Sequence, residues 1–131
     1  MNPTTASIGI SRLGQIAINV HDPDRATAFY RDILGLRFLF NAGKLSFFDC
    51  GGVRLMLSPP EKPEFDHPGS ILYFSVPDIQ SAHRQLCERG VQFEATPHVI
   101  ANMPTYDLWM GFFRDSEQNF LALMSEVPHS K

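Results

Sequence analysis

The constraint that narrows the fold most is that this sequence is written twice. Laid on itself at a shift of 56 residues, it brings Val20-His21-Asp22 onto Val76-Pro77-Asp78 and Ala26 onto Ala82. Around each match the same order of elements can be read. From Gly14 to Val20, Ile16, Ile18 and Val20 alternate with Gln15, Ala17 and Asn19, the period of a strand with one buried face. Asp22 and Pro23 then supply a helix cap and a first-turn proline. An apolar stripe follows at Ala26, Phe29, Tyr30, Ile33 and Leu34, and Gly35 ends it. Arg37 to Phe40, Lys44 to Cys50 and Val53 to Leu57 read as three more strands, with turns at 41–43 and 51–52. The second copy restarts with a strand over Ser70 to Val76 and a helix capped by Asp78, carrying Ile79, Ala82 and Leu86 and closed by Gly90. Its strands are expected at Gln92 to Ala95, near Leu108 to Arg114, and at Phe120 to Met124. The pattern predicts an α+β fold of two tandem βαβββ modules.

Boundaries follow from the punctuation. Residues 1–12 have little to bury and are expected to be a loose N-terminal segment. A single domain is expected over 13–126, with modules at about 13–58 and 70–125 and a short tail at 127–131. The linker 59–69 holds four prolines, at 59, 60, 63 and 68, too many for a strand or helix. With 44% hydrophobic residues in 131, one domain can bury a core unaided. A net charge of -3 offers no surplus cation for phosphates, which argues against a nucleic-acid partner. No run of 18 apolar residues and no secretory leader is seen, so neither membrane nor export is expected, and the cytoplasm is the expected location. Cys50 and Cys87 sit in apolar contexts on different elements and are read as reduced core residues.

The stretch from Gln15 to Tyr30, followed by Ile33-Leu34-Gly35-Leu36, resembles the opening of the vicinal oxygen chelate proteins, the glyoxalase / bleomycin resistance protein / dioxygenase superfamily. Asp115-Ser116-Glu117-Gln118-Asn119 is similar to that family's terminal turn. The resemblance covers roughly 13–124 and implies two modules whose mixed sheets curl into an open cup, commonly completed by a homodimer. In family enzymes four strand positions of the cup hold a divalent metal through His, Gln or Glu. Carried over, those positions are Gln15, Met56, Ile71 and Ala122. A thioether, a branched alkane and a methyl group are not hard donors, so no metal cofactor is expected there. The resemblance therefore carries the fold further than the metal-dependent lyase, epimerase or dioxygenase chemistry.

If the four positions face inward, period-two alternation brings Asn19, Arg54 and Tyr73 with them. Such a lining suits a small, partly apolar organic ligand, neutral or anionic, with Arg54 for an anion and Tyr73 for a hydrogen bond. Each residue has a plainer reading beside this one: Arg54 as a solvated strand charge, Tyr73 as an interface aromatic, Met56 and Ile71 as core. A second hypothesis is an enzyme with a relocated site in the stretch from Pro97 to Met110, read as a loop over the cup. There His98 and Asp107 would form an acid/base pair, or with His67 and Glu126 hold a divalent metal, and Trp109 would touch ligand. A third is a dimeric module that binds only protein.

Overall fold

A computed structural model of the chain describes residues 8–129. The expected repeat is realised in two four-stranded sheets, ordered β1-β4-β3-β2 and β5-β8-β7-β6. In the first module β1 (Gln15–Asn19) is followed by α1 (Pro23–Ala28), a π-helical turn (Phe29–Ile33), β2 (Arg37–Ala42), β3 (Leu45–Cys50) and β4 (Val53–Ser58). The second contains β5 (Leu72–Ser75), α2 (Ile79–Glu88), β6 (His98–Asn102), β7 (Tyr106–Arg114) and β8 (Phe120–Pro128). In each, the first strand lies parallel to the last and the remaining pairs are antiparallel. Both helices start at the expected caps. The Asp22 carboxylate accepts from the Arg25 amide and that of Asp78 from the Ser81 amide, each at 3.1 Å.

Alternation sorts the strands into two faces. Ile18, Leu55, Leu57 and Phe48 of the first sheet, with Phe113, Leu121 and Leu123 of the second, join Val20, Tyr30, Ile79 and Leu86 in one core. That core spans both modules. Residues of opposite parity point away from the helices and form the inner face.

Two expectations are corrected here. Strand pairing in the 92–95 region shrinks to one bridge, Phe93 with Phe113, and the ladder is taken over by β6. Proline 97 has no amide to donate, and its ring sits over Gly111, where a Cβ would come within 2.9 Å of it. The stretch from His98 to Met110 is consequently a β-hairpin rather than a loop over the cup. At the other end, Tyr106 pairs with Pro128 and Asp107 with Val127, so β8 runs two residues into the expected tail. Residues 1–7 and 130–131, within the two expected terminal segments, lie outside the described residues.

The β7–β8 turn ties the modules together. Asp115, 3% exposed, accepts from the Tyr30 hydroxyl at 2.7 Å and from the Glu117 and Asn119 amides at 2.8 Å. Burial first, and then the Asp115 charge, push the Tyr30 hydroxyl far above its usual range. Glu117 accepts from the His21 and Asp22 amides at the start of α1 and from Arg25 Nη2 at 3.0 Å. Burial would raise its carboxyl, but these bonds outweigh burial and hold it below its ordinary value. Asn119 Nδ2 donates to the Asn19 carbonyl at 3.2 Å.

Candidate functional site

The inner face begins with a polar cluster in the first module. Gln15 and Arg54 are neighbours across the parallel β1–β4 pair, and Met56 lies two residues further along the same face. Arg54 Nε donates to Gln15 Oε1 at 2.8 Å, and Gln15 Nε2 donates to the Met56 sulfur at 3.7 Å. The guanidinium stands 5.2 Å from the centre of the Phe47 ring, which stacks on Phe40 at 4.6 Å. Arg54 is thus oriented by a neutral amide and an aromatic face. Asp49 opposes it in register, yet among the described residues no ion pair joins them. Its charge remains available to an incoming anion.

The second module presents aromatic surface at the equivalent place. Ala122 is flanked in register by Tyr73 on β5 and Phe112 on β7. The two rings meet edge to face across it at 5.9 Å, and Phe120 continues the row at 6.3 Å from Phe112. Ala122 is fully buried, while Tyr73 is 45% exposed. Between the outer edges of β1 and β5 opens a cavity of about 900 Å³, lined by Ala17, Asn19, Phe65, His67, Ile71 and Phe120 among others. That is within the size of small-molecule sites.

The four family metal positions do not fit a divalent ion. The Gln15 amide oxygen, the one hard donor, already accepts from a guanidinium, a cation that would repel a metal held there. Met56 and Ile71 bring no hard donor, and the Ala122 methyl is covered by rings. The relocated pair is not assembled either. His98 faces Met110 across the hairpin while Asp107, three residues from Met110 on β7 and so on the opposite face, faces Asn102, at least about 10 Å away at strand spacing. His98 Nδ1 lies 3.0 Å from the Thr96 carbonyl. Asp107 is bonded instead to His129 at 2.8 Å and Asn102 at 2.9 Å, and those bonds lower its carboxyl. Among the described residues no three His, Cys, Asp or Glu side chains converge, so His67, His98, Asp107 and Glu126 make no cluster.

A match to the model of the Glyoxalase/Bleomycin resistance protein/Dioxygenase superfamily runs over residues 12–123. The chain belongs to this superfamily. It is 27% identical over 126 residues to the uncharacterized protein YraH of Bacillus subtilis (strain 168), covering 86% of this chain and 96% of that one. In fold it is similar to TnmS3, an antibiotic binding protein from Streptomyces sp. CB03234, at 21% identity and TM-score 0.75, over 92% of this chain and 99% of TnmS3. A lactoylglutathione lyase from Agrobacterium tumefaciens matches at 24% identity and TM-score 0.73, over 88% and 93% of the two chains. One superfamily fold thus supports a binder and an enzyme, and the side chains must separate the two readings for this member.

Of the residues read from sequence, Gln15, Arg54 and Met56 come together, Tyr73 and Ala122 form a second group, and Asn19 and Ile71 line the cavity. Trp109 leaves the site, because it shares a face with Phe113 and packs on the core. Sequence reasoning missed Phe47, Phe112 and the linker residue Phe65, and it gave His67 a metal-holding role where the structure puts it in the cavity lining. The first two needed the strand register to show which face they take, and the linker offered no period to read.

Proposed function

We propose that this protein binds a small organic anion with an apolar body on its inner face, without a divalent metal. The observation that carries this reading is the guanidinium of Arg54 held at 2.8 Å by Gln15, at the position where metal-bearing relatives need a ligand oxygen. A fixed cation there recognises a carboxylate or phosphate directly. From Gln15 to Asn19 the β1 face spans roughly 13 Å, enough for a ligand with its acid at Arg54 and its body toward the seam cavity. Tyr73, Phe112 and Phe120 supply flat apolar surface.

We also propose a homodimer: β2 and β6 are outer edges, with Phe40 45% and Ile100 47% exposed, surface that a second copy would cover. Among the described residues no helix is long and apolar enough to cross a membrane; both cysteines are free, Cys87 exposed on α2 rather than in the core as expected, and two free thiols suit a reducing cytoplasm.

The test is calorimetry with 1-naphthoate as probe, alongside elemental analysis of the purified protein. Arg54→Ala should weaken binding by about 1–3 kcal/mol, the range of a charge-assisted hydrogen bond, whereas uncharged 1-methylnaphthalene should bind both forms alike. Equal naphthoate affinity in the variant, or a stoichiometric transition metal on the inner face, would sink the proposal.

A further inference from the structure

We propose that linker residues 65–69 are a lid over the seam cavity and that Asn19 and His21 are the latch that holds it; this rests on reading the inner face as a ligand site. The linker leaves β4 at Ser58, beside Asn19, and is free to run straight on to Leu72, yet seven residues later it has returned to the end of β1 and is fastened there at three consecutive residues. Asn19 Nδ2 donates to the carbonyls of Phe65 and, at 3.2 Å, of His67. Between them, Asp66 Oδ1 lies 2.9 Å from His21 Nε2.

The two ends of these bonds differ in rigidity. Asn19 and His21 flank Val20, which is fully buried, and the His21 amide is bound to Glu117, so the latch stands on fixed structure. On the linker side, residues 64–71 are all exposed, and the amides of Phe65 and Asp66 bond only within the short turn, to Lys62 and Pro63 carbonyls. Phe65, Asp66, His67, Pro68 and Gly69 nonetheless line the cavity. A segment with little core contact, fastened by side-chain bonds at the mouth of a cavity, opens when those bonds break while the sheets stay folded. Pro63 just before it and Pro68 within it limit its shapes, so it should move as a unit.

Chymotrypsin cleavage after Phe65 in the native full-length protein tests this, because the protease needs the segment off the surface. Asn19→Ala removes two bonds, and Asp66→Asn weakens the third from the exposed linker side, where misfolding is not a concern. Cleavage should accelerate by about tenfold or more in Asn19→Ala and by a few fold in Asp66→Asn, with thermal midpoints close to wild type. An unchanged cleavage rate in both variants overturns the lid. Saturating 1-naphthoate should slow cleavage in wild type. Naphthoate that binds through Arg54 yet leaves the cleavage rate untouched overturns the lid while the ligand reading stands. Faster cleavage in the variants with no naphthoate binding at all supports the lid and overturns the ligand reading instead.

Discussion

The two modules repeat one topology and divide its work. At the tip of β3 and β4 the first module turns in two residues, Gly51 and Gly52, both at positive φ, and touches nothing that a Cβ would meet. The equivalent β7–β8 turn in the second module spans Asp115 to Asn119 and binds Tyr30, Arg25, the start of α1 and the end of β1. The inner faces are divided in the opposite sense. The first module carries the polar Gln15–Arg54–Met56 group, and the second a row of aromatic rings over a buried alanine. Duplication thus gives one hairpin the light duty of accepting a hydrogen bond from Arg12 at the Gly52 carbonyl, at 3.2 Å, and loads the other. It also leaves one face able to hold a charge and the other able to hold a surface.

The sharpest way to break that comparison is at Asp115. Asp115→Ala should cost about 3–5 kcal/mol in urea unfolding, because it strands the buried Tyr30 hydroxyl and two half-buried amides at once. Changes in the first module's hairpin should cost far less. A loss under 1 kcal/mol would mean that Asp115 does not carry the junction, leaving it to Glu117, Asn119 and apolar packing.

Glu117 sharpens the same contrast through pH. Its carboxyl is held below the ordinary value in the folded protein, so it adds stability above the unfolded value near 4.3 and loses that contribution as pH falls through the folded value. Stability should therefore decline on the acid side below about pH 4.5. Glu117→Gln should lose about 1–2 kcal/mol at pH 7, discounted because Arg25 is 61% exposed, and should show a flatter acid limb. An acid limb identical to wild type would place the pH dependence in other carboxylates.

The legibility of these features follows the same division. Elements with a period were readable: β1 from alternating Ile16, Ile18 and Val20, and both helices from Asp22, Asp78 and their closing glycines. The β6 segment was not, because its position is decided by a contact between Pro97 and Gly111, fourteen residues apart in sequence and invisible to local pattern. Part of the site was legible because the family resemblance marks Gln15 and Met56 as inward positions and parity then adds Arg54 to the face of Met56. The His98–Asp107 pair failed for the same reason that this group succeeded. Pairing depends on register, and the hairpin register gives Asp107 to Asn102 and His129. Trp109 likewise fell on the core face once β7 was placed.

The smallest effects lie in the backbone of the two turns, and they have opposite signs. Gly52 sits at φ +89, a conformation that an L side chain adopts at a cost of about 1–2 kcal/mol, so Gly52→Ala should destabilise by that amount although there is room for the methyl. Gln118 sits at φ +68 with a side chain already in place. The second module bears this strain because the turn must present Asp115 and Glu117 to α1 and still return Phe120 to β8. Gln118→Gly relieves the strain but loosens the unfolded chain, an opposing term of somewhat under 1 kcal/mol. The net gain should be about 0.5 kcal/mol, seen as a higher urea midpoint at unchanged slope. Were the glycine variant less stable than wild type, the Gln118 side chain would have to hold the turn in place, and the load on this hairpin would extend beyond Asp115 and Glu117.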